Sequence, residues 1–214
     1  MPFIVFEGID GAGTTTQVAR LAAELRREGR TVHTTREPSD GPVGVLLRRA
    51  LSGDVDLGGA AAMALLFAAD RLEHVAHEID PRARDGAVVI CDRYDLSSIA
   101  YQTATASEAE RPDFEAWVRD LNRYARRPDA TVILHVDPAV AAQRRMRRLG
   151  APELYERAAL QRELAILYRE AERLRPEDRY LHIEGDADEE TVALRVRKAL
   201  APFFHRGAVG GDER

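Results

Sequence analysis

Residues 6–17, FEGIDGAGTTTQ, come within one residue of the pattern that defines a nucleotide phosphate-binding loop. That pattern is G-x-x-x-x-G-K-[ST], in which the lysine reaches the β- and γ-phosphates and the hydroxyl binds Mg²⁺. Gly8 and Gly13 have the required spacing and Thr15 stands at the hydroxyl position, but Thr14 takes the place of the lysine. The stretch is open to three interpretations: a nucleotide site that lost its catalyst, a site that uses another cation, or a chance arrangement of glycines.

The sequence on either side of this loop favours phosphate binding. PFIVFEG (2–8) predicts a buried strand, and TTTQVARLAAELRREG (14–29) predicts a helix that ends at its final glycine. Backbone N–H groups and the helix N-terminus hold phosphate in such loops, so loss of the lysine leaves these contacts in place. The candidate phosphate-binding residues are Gly8, Gly11, Ala12, Gly13, Thr14, Thr15 and Thr16.

The rest of the chain alternates apolar strands with helical patterns. Further strands are predicted at 30–38, 87–94, 130–137 and 179–185, and helices at 44–51, 60–83, near Ser97, at 114–124, after the fourth strand, in a long run through Arg173, and at 188–204. This alternation predicts an α/β fold, with a parallel sheet of about five strands covered by helices on both faces. We expect one domain (1–205), a small mobile lid at about 144–156 around Gly150-Ala151-Pro152, and a mobile tail (206–214).

Composition narrows the class of protein. The net charge of −5, from 31 basic and 36 acidic side chains, does not favour nucleic-acid binding. The single cysteine, Cys91, cannot form an internal disulfide and suits a reducing compartment. No signal peptide or membrane span is visible, so we expect a cytoplasmic protein. Lys198 is the only lysine, so a cation that replaces the loop lysine would be an arginine.

Two other motifs carry side chains suited to nucleotide chemistry. Asp92 and Arg93 follow a predicted strand, at the sheet edge where ligands bind in open α/β folds. They could form no more than a surface ion pair, but Asp92, with Thr15, can hold Mg²⁺, and Arg93 can fork onto a phosphate. Phe67 and Arg71 share one helix face. Singly they are typical of a core ring and a solvated charge, but together they can bind a planar base.

In order and spacing, the loop, TREP (35–38), LLFAADR (65–71) and DRYDLSSIAYQ (92–102) resemble the bacterial thymidylate kinases, from Phe3 to about Tyr168. The resemblance implies an α/β fold of the P-loop NTPase type. It also implies transfer of the γ-phosphoryl group of ATP-Mg²⁺ to dTMP, giving dTDP, by a protein that forms homodimers. The dTMP-binding residues that it implies are Asp10, Glu37, Pro38, Arg48, Phe67, Arg71, Arg93, Ser98, Tyr101 and Gln102. Phe67 would stack on thymine and Tyr101 would crowd the 2′ position of the sugar.

The arginine-rich stretch 141–160 occupies the place of the family's lid. In one branch of the family, with small residues after the loop aspartate as in DGAG here, the catalytic arginine comes from the lid. The family's usual Asp-Arg lid sequence is not matched by PELYE (152–156). The residues that we predict to be catalytic are Asp10, Arg93 and at least one of Arg144, Arg145, Arg147 and Arg148, which would arrive when ATP closes the site.

Two alternatives remain open: a kinase for another deoxynucleoside or nucleoside monophosphate, and a catalytically inactive homologue that binds nucleotide. The implied acceptor residues are all present, and Thr15 and Thr16 keep the hydroxyls that follow the lysine in the family, which favours an active kinase. The resemblance also leads us to expect the dimer contact on the helix that carries Phe67, on the face opposite that ring.

Overall fold

The computed structural model describes residues 1–107, 109–149 and 154–204, without the side chains of 148, 149 and 154–157. At its centre lies a sheet of five parallel strands in the order β2-β3-β1-β4-β5. The strands are β1 (Phe3–Gly8), β2 (Val32–Arg36), β3 (Val88–Asp92), β4 (Ala130–His135) and β5 (Tyr180–Glu184). The predicted parallel sheet is confirmed, and each strand is shorter than the apolar run that predicts it.

The helices follow the predicted alternation. They are α1 (Thr14–Arg27), α2 (Pro42–Leu51), α3 (Ala60–His74), a π-helical turn (Val75–Ile79), α4 (Asp80–Arg84), α5 (Asp95–Thr105), α6 (Arg111–Leu121), α7 (Pro138–Leu149), α8 (Leu154–Arg169), α9 (Ala171–Leu174) and α10 (Glu189–Phe204). The long helix predicted through Arg173 is wrong in one detail: it ends at Arg169, because Glu170 leaves helical geometry with φ −101° and ψ 26°. The helix predicted at 60–83 contains the π-helical turn, just before Pro81, whose missing N–H interrupts regular helix bonding.

Every residue of the central strand β1 is buried, which shows that both faces of the sheet are covered there. Alternate side chains of a strand point to opposite faces, so Phe3 and Val5 share one face and Ile4 and Phe6 the other. Phe3 and Val5 belong to an apolar cluster with Ile79, whereas the other pair clusters with helix α1. By the same alternation Glu7 points to the side of Phe3 and Val5; it is a fully buried carboxylate and belongs to the site described below.

The sheet topology brings the loops after β1 and β3 to one place. Within the sheet, β3 and β2 lie on one side of β1, and β4 and β5 lie on the other side. Phe6 is in register with Asp92, and Gly8 with Leu134, so the three central strands end together. A crevice at such a switch in strand order is the usual ligand site of open α/β sheets.

Some predictions fall on parts of the chain that the structure does not describe. The Gly150-Ala151-Pro152 hinge, the side chain of Arg148 and the tail after Phe204 lie outside the described residues, so the predicted mobility of lid and tail stays a prediction. In the part of the chain that is described, no helix has the length and apolar character to cross a membrane.

Candidate functional site

The glycine loop between β1 and α1 lines a cleft of about 670 Å³. Gly11 and Gly13 have left-handed backbones, with φ of 90° and 96°, which glycine adopts without a steric penalty. Helix α1 begins directly after Gly13, so the N–H groups of its first turn, which lack partners within the helix, lie at this cleft. A Cβ on Gly8 would lie only 2.9 Å from the carbonyl oxygen of Leu134, so β4 also requires a glycine there. The loop can therefore hold anions through its backbone alone.

Thr15, which lines this cleft, is bonded to Asp92 at the end of β3. The Thr15 hydroxyl donates a hydrogen bond of 2.5 Å to Oδ2 of Asp92. The other carboxylate oxygen, Oδ1, is buried and has no hydrogen-bond partner among the described residues. A hydroxyl beside a carboxylate oxygen that lacks a donor suits a hard cation with oxygen ligands, so these residues fit Mg²⁺.

Arg93 stands where β3 turns into α5, in a strained backbone conformation with φ of 72°. Its N–H donates to the carbonyl of Phe6 at 2.8 Å, and its Nη1 donates to the carbonyl of Gly8 at 3.1 Å. Its Nη2 lies 2.6 Å from a carboxylate oxygen of Asp10. Burial lowers the pKa of Arg93, but surrounding groups such as the Asp10 carboxylate outweigh this and raise it well above its usual value. The side chain is a fixed positive charge beside the loop.

Asp10 is held by residues from two helices besides Arg93. The Tyr101 hydroxyl donates to it at 2.9 Å, and Nε2 of Gln161 donates to it at 3.0 Å. The backbone N–H of Asp10 in turn donates to Oε1 of Gln161 at 2.9 Å. Gln161, in α8, is a site residue that the sequence reasoning missed, since it belongs to no motif and lies 151 positions from its partner.

Glu7 is a second missed residue, and it joins the loop to α5. Its carboxylate accepts the N–H groups of Tyr94 at 2.9 Å and Ser97 at 3.1 Å, together with the hydroxyls of Ser97 at 2.5 Å and Tyr168 at 3.2 Å. Burial raises its pKa to about 7, against the lowering effect of these donors. A charged residue in an otherwise apolar strand was the only sequence signal for this role.

A second cleft, of about 710 Å³, adjoins the first. Nine of the ten residues implied for dTMP binding line it: Asp10, Glu37, Pro38, Phe67, Arg71, Arg93, Ser98, Tyr101 and Gln102. The tenth, Arg48, stands behind the wall, where its Nη1 donates to the carbonyl of Pro38 at 2.7 Å and its Nη2 lies 3.1 Å from Asp40. Asp10 and Arg93 line both clefts and mark where they meet.

Arg71 is almost fully buried, at 1% exposure, so its interpretation as a solvated charge is wrong. Its Nη2 lies 2.5 Å from Glu37 and donates to Ser98 at 2.9 Å, while its Nη1 donates to Asn122, a partner that no motif predicted. Burial lowers its pKa, but the Glu37 carboxylate more than compensates, so the pKa is raised and the guanidinium stays charged. Among the described residues its Nε has no partner, which leaves one donor for a ligand.

The arginines of α7 differ in what they contact. Arg144 donates through Nη2 to the carbonyls of Gly185 and Ala187, at 3.1 and 3.3 Å. Arg145 donates through Nη1 to the carbonyl of Asp10, at 2.5 Å. Both line the first cleft together with Arg147, which is exposed. The structure thus brings three of the four predicted arginines to the first cleft, and one of them, Arg145, bonds the glycine loop.

Comparison with known proteins gives a consistent picture. The family model for thymidylate kinase matches residues 6–193. A probable thymidylate kinase of Pyrobaculum aerophilum is 44% identical over 170 residues, which cover 78% of this chain and 81% of the relative. A probable thymidylate kinase of Pyrococcus horikoshii is 38% identical over 206 residues, covering 92% and 97% of the two chains. A thymidylate kinase of Bifidobacterium longum is 47% identical over 150 residues, covering 66% and 70%.

Proposed function

The chain belongs to the thymidylate kinase family and phosphorylates dTMP to dTDP with ATP, and we propose that transfer occurs where its two clefts meet. One observation carries the assignment of the clefts: Asp10 and Arg93 line both of them. The glycine loop suits the phosphates of ATP, and the apolar ring of Phe67 suits the base of dTMP. The two phosphate ends would then face each other across the Asp10–Arg93 pair.

On the donor side, we assign the ATP phosphates to the loop and the first turn of α1. Thr15 and Asp92 would hold Mg²⁺, through the Thr15 hydroxyl and the Asp92 oxygen that lacks a donor. When bound with ATP, the ion neutralises charge on the β- and γ-phosphates. The residues of this cleft bind and orient ATP, and none of them needs to form a covalent bond with it.

On the acceptor side, side chains would select thymine by stacking and by directed hydrogen bonds. Phe67 would stack on the ring, while the Nε of Arg71 and the polar groups of Ser98 and Gln102 would meet its edge. Arg93 would bind the dTMP phosphate, and Arg48 would reach it from its position behind Pro38. Tyr101, fixed 2.9 Å from Asp10, would crowd a 2′-hydroxyl.

The transfer itself needs little from the protein beyond position and charge. A phosphate oxygen of dTMP forms a bond to the γ-phosphorus as the bond from that phosphorus to the β–γ bridging oxygen breaks. The bridging oxygen leaves with the electron pair, as part of ADP. Because the attacking oxygen belongs to an ionised phosphate, no proton has to be removed from it. Arg93 and Mg²⁺ would stabilise the charge that spreads over the transferred group.

Turnover of ATP and Mg²⁺ with a panel of nucleoside monophosphates tests the assignment. We expect dTMP to have the highest kcat/KM, ahead of dUMP, dCMP, dGMP and the ribonucleotide UMP. Preference for another monophosphate would favour a kinase of different specificity. Binding of ATP without turnover of any acceptor would favour an inactive nucleotide-binding homologue.

We also propose that two copies associate through α2 and α3. On α3, Leu65 and Leu72 are 51% and 39% exposed and stand two helical turns apart, on the side away from Phe67. Val45 of α2 adds an exposure of 46%. Light scattering at micromolar concentration should give the mass of a dimer, and Leu65→Glu should give that of a monomer. A monomeric parent protein would refute this.

We further propose a cytoplasmic location, in keeping with the buried, unpaired Cys91.

A further inference from the structure

The loop lacks a positive charge at the position where its motif has one. Thr14 is 7% exposed, begins α1 and lines the donor cleft. A short neutral side chain there keeps the backbone contacts to phosphate but contributes nothing to neutralising the β- and γ-phosphates. The single lysine of the chain, Lys198, lies on α10 and is not among the residues that line this cleft.

Among the described residues, four arginines line the donor cleft. Three of them are placed less well than the fourth to take over the role of the loop lysine. Arg93 is paired with the Asp10 carboxylate, towards the acceptor side. Arg144 is bonded to the carbonyls of Gly185 and Ala187, which follow β5. Arg147 stands more than half a turn further along α7 and is exposed.

Arg145 reaches the loop backbone at Asp10 from α7, whereas Arg93 bonds the carbonyl of Gly8, at the end of β1. Its Nη1 donates to the Asp10 carbonyl at 2.5 Å. A Cβ added to Gly11 would run into the backbone carbonyl of Ala141 and would lie 3.1 Å from Cγ of Arg145. The backbone of α7 therefore lies directly against the loop, and the glycine at position 11 makes room for it.

We propose that Arg145 supplies, from α7, the positive charge that Thr14 removes from the loop, and that its guanidinium binds the β- and γ-phosphates of ATP. A guanidinium carries five N–H donors, so one bond to a carbonyl is compatible with others to phosphate oxygens. Its fork matches phosphate geometry, and it stays charged at any physiological pH. This inference rests on the proposed function, because it assigns the donor cleft to ATP.

A double-mutant cycle tests the exchange directly, with Thr14→Lys, Arg145→Ala and their combination. Arg145→Ala should lower kcat by about 10³-fold, at the lower end of the range for arginine fingers, with little change in the KM for dTMP. Thr14→Lys should restore Arg145→Ala by tenfold or more, a larger factor than any change it makes in the parent protein and roughly the size of coupling expected between groups that share one task.

Arg144→Ala and Arg147→Ala are the matched controls, since each removes one guanidinium from the same helix. Thr14→Lys should not restore what either loses. If Arg145→Ala keeps kcat within about threefold, or if Thr14→Lys restores Arg147→Ala instead, the assignment is wrong. Should Arg145→Ala no longer bind dTMP, Arg145→Gln, which keeps most of the length and removes the charge, takes its place.

Nucleotide binding gives a readout that does not depend on turnover. Arg145→Ala should weaken ATP binding about tenfold and AMP binding little, because AMP lacks the β- and γ-phosphates. Equal weakening of both, or of neither, would overturn the inference. A parent protein that turns over no monophosphate would refute the proposed function, and this binding test would still decide the role of Arg145.

Discussion

The donor and acceptor clefts are built in different ways. In the acceptor cleft, side chains hold one another: Arg71, at 1% exposure, is bonded to Glu37, Ser98 and Asn122. In the donor cleft, the backbone of a glycine loop and the first turn of a helix form a continuous part of the lining, residues 10–17. In the donor cleft, a lost side chain can be replaced by one from another helix, because the backbone still binds the phosphates. In the acceptor cleft, each side chain also holds its neighbours in place, so its loss affects them too. Thr14, the departure from the phosphate-loop motif, lies in the cleft that can tolerate it.

The largest expected difference between the two clefts is in how much a mutation lowers the free energy of unfolding. Arg71→Ala would leave the Glu37 carboxylate buried beside a missing cation, which should lower the free energy of unfolding by about 3–5 kcal/mol. Arg147→Ala, at an exposed position of the donor cleft, should change it by less than about 0.5 kcal/mol. Urea unfolding of the two variants measures both values. Similar losses from both would mean that the clefts are not built differently.

Glu7 joins the glycine loop to α5, and its titration should change the free energy of unfolding. Its pKa of about 7 in the folded protein is above the ordinary value of 4.5, so folding favours its protonated form. That stabilisation is complete below pH 4.5 and is lost as the pH rises towards 7. Between these limits, the unfolding free energy of the parent should fall relative to that of Glu7→Gln by about 3 kcal/mol.

Parallel thermal or urea unfolding of both proteins across this range supplies the difference. Other titrating groups are common to the two proteins and cancel. A difference that stays constant with pH would show that Glu7 is ionised throughout, held by its four hydrogen-bond donors.

Loss of the ring that faces the base should have a smaller effect, confined to the acceptor cleft. Phe67→Ala removes a stacking surface worth about 1–3 kcal/mol, so the KM for dTMP should rise by roughly 5- to 150-fold while that for ATP moves little. Steady-state kinetics with each substrate varied in turn provide both constants. Equal changes in the two KM values would indicate that Phe67 supports the fold and does not stack on the base.

The parts of the molecule that the sequence predicted are those in which local pattern and structure coincide. Buried parallel strands read as apolar runs, and glycine spacing marks a loop that only glycine can form, which is why the sheet and the loop were found. Gln161 and Asn122 reach the site only through packing of distant helices, and no local pattern announces such partners. The same holds for Arg145, whose difference from Arg144 depends on the direction in which α7 presents each side chain.

The central claim is that this loop works with threonine in the place of lysine, and one assay addresses it most directly. The unmodified protein is incubated with ATP, Mg²⁺ and dTMP, and dTDP is quantified by chromatography beside the Thr14→Lys variant. We predict that the unmodified protein forms dTDP and that Thr14→Lys changes its kcat by less than about threefold. An unmodified protein that forms no dTDP, together with a Thr14→Lys variant that does, would contradict the claim and identify a site that lost its catalyst.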